Sequence, residues 1–144
     1  MDQQSYAKHA KFVPMFHYAL GPIIILSFLG SLINLWKSLG DHERLYSASL
    51  ITAMSVALLL LFFFTRNFAM GVQDRAIRAE ENLRHFALTG KLLDRRLTIK
   101  QIVGLRFASD AEFVELARKA AEESLSQDAV KKSVKNWRAD YDRV

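Results

Sequence analysis

Between Leu50 and Phe64 the chain reads LITAMSVALLLLFFF, with no charge and no polar side chains but Thr52 and Ser55. Extended to Tyr46 and Phe68, the stretch is roughly 23 residues, or about 34 Å of helix at ~1.5 Å per residue. That length crosses a hydrocarbon core ~30 Å thick. A transmembrane helix over about 46 to 68 is therefore expected.

A second apolar stretch precedes it. Met15 to Trp36, MFHYALGPIIILSFLGSLINLW, makes about 22 residues or ~33 Å of helix, bounded by His17 and Tyr18 at one end and Trp36 and Lys37 at the other. Its apolar core exceeds the ~7 to 15 residues of a signal peptide and no small-x-small site follows, so a retained span over 15 to 36 is expected. Pro22 lacks a backbone N–H for Tyr18, and with Gly21 beside it the first turns should kink. Ser38 to Tyr46, SLGDHERLY, is too short for a domain, which makes the two spans an antiparallel hairpin over 15 to 68.

Orientation follows from lysine and arginine placement. The connecting loop carries Lys37 and Arg44, the N-terminal flank over 1 to 14 carries Lys8 and Lys11, and the C-terminal flank carries Arg66, Arg75, Arg78 and Arg84. Both termini are expected in the cytoplasm, chiefly on the C-terminal flank. From Arg66 onward lie 16 of the 20 basic residues and 12 of the 15 acids, so the polar part carries a net charge of +4. Disulfides, thiolate nucleophiles and cysteine-based metal sites are excluded because the chain has no cysteine.

Small residues mark the faces on which the two spans should meet. Ser27, Gly30, Ser31 and Asn34 share one side of the first, and Ser49, Ala53 and Ala57 recur at i, i+4 and i+8 on the second. A polar pathway through Asn34 is the alternative, but its place near the interface favours packing.

The helix signal continues past the apolar stretch from 69 to Leu88. Val72, Ala76, Ala79, Leu83 and Phe86 alternate steps of 4 and 3, a heptad-like stripe. Asp74 with Arg78, Glu80 with Arg84 and Glu81 with His85 stand at i, i+4, acid first. A helix from Tyr46 to Leu88 would be ~65 Å long and reach ~30 Å beyond the membrane. Its stripe should pack on the segment that follows or take part in an oligomer. Thr89 and Gly90 end it.

Residues 89 to 144 should form a module of short helices, placed by their caps. T-x-x-Q at Thr98 and Gln101 opens one to about Phe107, and S-x-x-E at Ser109 and Glu112 opens a second to about Leu125. Ser126 opens a third to about Asp140, burying Val130, Val134, Trp137 and Tyr141. The expected fold is thus all-α: a two-helix hairpin, a cytosolic extension of the second helix and a small C-terminal bundle.

VQDRAIRAEE (72 to 81), LRFASDAEF (105 to 113) and KNWRADYDRV (135 to 144) carry a resemblance over nearly the whole chain. It resembles a bacterial family of two-span membrane proteins of unknown function, with a short N-terminal segment and a helical cytosolic tail. The resemblance implies bacterial origin and this architecture, and it brings no activity.

Chemistry is sparse. His9, His17, His42 and His85 are scattered without ligand spacing, and no nucleophile elbow, Walker A or dinucleotide glycine motif is present. The acids of 110 to 128 fall on a solvent face beside Arg118 and Lys119. No catalytic residue, metal, cofactor or small-molecule substrate is indicated, and the expectation is a non-catalytic protein.

Lys131, Lys132, Lys135 and Arg138 form a basic stripe that suits solvent, anionic lipid or, against the surrounding acids, nucleic acid. Phe107, Phe113 and Trp137 are the candidate partner interface. The expected role is a membrane-anchored interaction or scaffold module, binding a protein partner or itself. The alternatives are an accessory subunit of a larger membrane complex and a tethered lipid or nucleic-acid binder.

Overall fold

The computed structural model describes residues 5–6 and 12–140. A π-helical segment, Met15–Leu20, leads into α1 (Gly21–Lys37), followed by α2 (His42–Thr89), α3 (Ile99–Leu105), α4 (Asp110–Glu122) and α5 (Gln127–Ser133). Among the described residues there is no strand, only an isolated antiparallel bridge between Ala108 and Trp137. The chain divides into two compact units, one of Phe12–Ala69 and one of Met70–Val144 with Met1–Lys11. Helix α2 contributes to both.

In the unit Phe12–Ala69, Pro22 is met by a widened turn. The Gly21 N–H donates to the Phe16 carbonyl, five residues back, at the close of the π-helical segment. Pro22 then follows directly on this widened turn, in the first turn of α1. Helix α2 starts earlier than the apolar run, because the Asp41 carboxylate accepts the Glu43 and Arg44 N–H groups at 3.1 and 3.3 Å.

The least exposed positions recur in alternating steps of 3 and 4 on both helices: Gly21, Ile24, Phe28, Ser31, Leu35 and Ser38, and Ala48, Thr52, Ser55, Leu59 and Phe62. Phe16 stacks on Phe62 at 4.3 Å, Ser31 Oγ lies 2.9 Å from Ser55 Oγ, and the Thr52 hydroxyl donates to the Ser31 carbonyl at 3.2 Å. Partners descend along α2 as they ascend along α1.

This seam corrects the expected faces. Ser31 lies in it, whereas Ser27, Gly30, Asn34, Ser49, Ala53 and Ala57 are exposed. On α2 the seam runs through Ala48, Thr52 and Ser55, about one residue or ~100° away from the stripe read by residue size. Hydroxyls that bond across the seam set its phase, Ser31 with Ser55 and Thr52 with the Ser31 carbonyl, whereas the Ser49 hydroxyl bonds only to the Tyr46 carbonyl of its own helix.

The unit that begins at Met70 has a continuous core. Leu105, Phe107, Phe113 and Val130 are fully buried at its centre. Gly90, at φ 72°, ends α2 in the left-handed conformation, its N–H donating to the Phe86 carbonyl at 2.7 Å. Leu93 and Leu97 then enter the core. Between them the exposed Asp94 carboxylate receives the Arg96 N–H and guanidinium.

Both expected capping boxes form, at Thr98 with Gln101 and at Ser109 with Glu112, and the Ser126 hydroxyl accepts the Ala129 N–H. Buried Gln101 also donates from Nε2 to the Ala120 and Leu125 carbonyls at 3.0 and 2.8 Å. It thereby joins the start of α3 to the end of α4. At Gly104 an added Cβ would stand 3.2 Å from the Gln127 carbonyl and the Val130 side chain, so α3 and α5 touch there.

The third short helix is a correction. It ends at Ser133, not near Asp140. The Glu112 carboxylate accepts the Lys135 and Asn136 N–H groups at 3.1 and 3.0 Å, and the Arg138 N–H donates to the Phe107 carbonyl at 2.7 Å. These bonds satisfy an extended backbone that Val134 begins. Val130 and Val134 are buried and Trp137 packs on the core, while Tyr141 lies outside the described residues.

Two measurements test this unit. Gln101→Ala should lose about 2 to 4 kcal/mol, because two buried carbonyls and the Thr98 cap lose their partner together. Denaturant unfolding in mild detergent, followed by Trp137 fluorescence in a Trp36→Phe background, reads the loss. The Asp94 carboxyl is held down at about 2 by its bonds with Arg96, against the ordinary 3.8. A lowered folded pKa makes this contact stabilising above about 3.8, and its contribution disappears as pH falls through about 2. Carboxyl NMR titration should show that midpoint, and Arg96→Ala should move it up towards the ordinary value.

Candidate functional site

The last three turns of α2 supply Glu81 and Arg84, and both point into the unit. The Arg84 side chain is 11% exposed and that of Glu81 6%, with Nη1 3.0 Å from the Glu81 carboxylate. Arg84 Nε donates to Asp110 at 2.7 Å, Nη2 reaches the same carboxylate at 2.6 Å, and Nη2 donates to the Ala108 carbonyl at 2.7 Å. Its guanidinium also lies 4.2 Å from the Phe113 ring centre. One planar cation thus ties α2 to the start of α4, using the fork of donors that lysine lacks.

Around this cluster lies a half-open cleft of about 680 Å³. Glu80, Glu81, Asp110 and Asp140 line it together with Arg84, Arg106 and Arg138. Arg106 pairs with Asp140 at 3.0 Å and stacks over Phe107 at 4.6 Å, and Arg138 approaches Glu81 at 3.9 Å. The three phrases 72 to 81, 105 to 113 and 135 to 140, far apart in sequence, all contribute to this wall. Opposite charges joined to one another give the cleft a structural character. Among the described residues no group of three His, Asp or Glu side chains is placed to hold a metal ion.

The expected i, i+4 pairs on α2 are rearranged. Arg84 takes Glu81 and Asp110 instead of Glu80. His85 Nδ1 lies 2.7 Å from the Lys91 carbonyl and 3.2 Å from the Thr89 hydroxyl. The reason is tertiary: once Asp110 and the Ala108 carbonyl face α2, they supply more contacts to Arg84 than a solvated Glu80 can. On α4, Arg118 does pair with Glu115 and Glu122, at 2.5 and 2.6 Å, on the solvent side.

The candidate partner residues lie elsewhere than expected. Phe107 and Phe113 are both 0% exposed and form the core. Half-buried Trp137 packs on Phe107 with ring centres 4.8 Å apart and the planes tilted by 33°. Their size made them look like surface anchors, but this small unit uses its aromatics to fill its own interior.

The basic stripe is likewise redistributed, since only Lys131 and Lys132 stand on α5. Lys132 pairs with Asp128 at 2.8 Å and lies over the Tyr6 ring, while the Tyr6 hydroxyl donates to Asp128. Lys131 approaches the Phe107 ring at 5.9 Å. The bonds to Lys132 and Tyr6 hold the Asp128 carboxyl below its ordinary range. Lys135 and Arg138 belong to the extended segment, with Lys135 exposed and Arg138 turned towards Glu81.

Arg84→Met should destabilise this unit by about 3 to 5 kcal/mol, because Glu81 is left charged and buried beside a distant Arg138. Adding Glu81→Gln should recover part of the loss, giving a positive coupling in the same fluorescence assay. Additive losses would mean that the pair contributes nothing as a pair.

Comparison with known proteins adds one match. No curated protein and no solved structure matches the chain. A family model described as a family of unknown function, DUF6526, matches residues 1–144. The chain, with its paired-charge cleft and its two long apolar helices, therefore belongs to the DUF6526 family.

Proposed function

We propose that this protein is an integral membrane protein of a bacterial inner membrane. Its two apolar helices form an antiparallel transmembrane hairpin, and its charged unit acts in the cytoplasm as a non-catalytic interaction module. One observation carries the reading. Met15–Lys37 and His42–Thr89 each hold a long apolar window, of which only 17% and 11% is buried. The core helix of a soluble domain hides its apolar side chains, whereas here Ile23, Leu26, Ile33, Met54, Leu61 and Phe63 are exposed.

Details of the unit Phe12–Ala69 support the same view. Trp36 and Tyr46, 74% and 71% exposed, mark one end of the apolar rods, and Tyr18 and Phe68 the other, as interfacial aromatics do. The serine and threonine hydroxyls of the seam bond to carbonyls or to each other, which lipid requires. Such interhelical bonds contribute about 0.6 kcal/mol each, so they set the register more than they hold the pair. Arg66, Arg75, Arg78 and Arg84 after the second span favour a cytoplasmic C-terminal unit.

A module whose buried charges are already matched, as those of Arg84 and Glu81 are, suits positioning and recognition. The exposed Ser27, Gly30, Asn34, Ser49 and Ala53 favour a second reading, an accessory subunit whose outer faces pack on foreign spans.

The protein should remain in vesicles washed with alkaline carbonate, and a tag after Val144 should be cleaved only when protease reaches the cytoplasmic side. Release by carbonate, or cleavage from outside intact cells, would overturn the anchored reading. Cross-linking of native membranes to foreign spans through Gly30→Cys would favour the accessory role.

A further inference from the structure

Along the stripe Val72, Ala76, Ala79, Leu83 and Phe86, Ala76 borders the charged cleft and Ala79 a hollow shared with Ile99, while Val72, Leu83 and Phe86 line neither. All five residues are exposed, with Val72 and Leu83 at 68% and Phe86 at 52%. The face of α2 that packs on the short helices carries Ile77, Glu81 and Arg84. At ~100° per residue these cluster about 150° from the centre of the stripe, on the opposite side of the helix. Among the described residues the short helices therefore leave Val72, Leu83 and Phe86 open, with Ala76 and Ala79 at the edges of the packed face.

We propose that the stripe is the self-association face of this protein, and that a second copy of the chain covers it as a parallel, in-register pair of α2 helices. The spacing 4, 3, 4, 3 places Ala76 and Leu83 at one core position of a heptad and Val72, Ala79 and Phe86 at the other. Flanking charges select the occupant. Arg75 then takes the position just before the core pair and Glu80, five residues on, the position that a parallel partner presents to it.

Each helix thus offers Arg75 to the Glu80 of its copy and receives the reverse contact, giving two equivalent pairs about one axis. Both side chains are exposed, and among the described residues neither enters an ion pair within the chain. A partner with one sign of charge would satisfy only half of this pattern. An identical chain satisfies all of it.

Ala76 and Ala79 make the stripe thin, so backbones can approach but the face is weak in dilute solution. The proposal rests on the anchored reading, which holds both copies on one membrane side, pointing the same way, at raised effective concentration. Phe86 and Leu83 supply the broad apolar end of the seam near Gly90.

The natural absence of cysteine makes the test direct. Leu83→Cys and Phe86→Cys, each placed singly in the full chain in native membranes, should give an oxidised product at twice 16.4 kDa. Arg78→Cys, away from the seam, should not. Arg75→Glu added to Leu83→Cys should lower the product about fivefold, and the charge swap Arg75→Glu with Glu80→Arg should restore it.

Equal products at the three positions, products of other mass, or no rescue by the swap would overturn the pairing. Protein that survives a carbonate wash yet gives no Leu83→Cys product sinks the pairing alone, while protein released by the wash sinks the anchor first.

Discussion

The buried guanidinium of Arg84 is the interaction on which the unit beginning at Met70 depends. Short helices of 7, 13 and 7 residues have little stability of their own and need a rigid surface to fold on. Helix α2 supplies that surface, and Arg84 is where it is gripped, by Asp110, the Ala108 carbonyl and the Phe113 ring. Glu81 keeps the cation balanced in a place that water scarcely reaches.

The same economy organises the polar groups beyond it. Glu112 closes its own capping box and also accepts two backbone N–H groups from the segment after α5. Gln101 closes its box and satisfies two carbonyls at the end of α4. Capping residues read as local signals thus become the tertiary connectors. The charged cleft follows from this arrangement, since Arg106, Arg138 and Asp140 meet only because the extended segment crosses back beside Phe107.

In the unit Phe12–Ala69 the constraint is different. Side chains there are apolar nearly all round, so burial within the chain selects only a narrow seam, and hydroxyl pairing decides its phase. Within the proposed bilayer, lipid would cover what remains. The exposed stripe of α2 after Met70 has no such cover in water, which is why its charge pattern bears on the partner.

The sequence by itself determined the helical class, the two long apolar rods, the stop at Thr89 and Gly90 and the three capped starts at Thr98, Ser109 and Ser126. Each is a local matter of side-chain solubility, backbone freedom or a hydroxyl within reach of its own helix. Only the tertiary structure decided that α5 stops at Ser133, that Phe107 and Phe113 face inward, that the seam passes through Ala48 and not Ser49, and that Arg84 leaves Glu80 for Asp110. Those outcomes turn on groups 20 or more residues apart, or on another helix, competing for the same donor or the same buried volume. No periodicity along a single helix contains that competition.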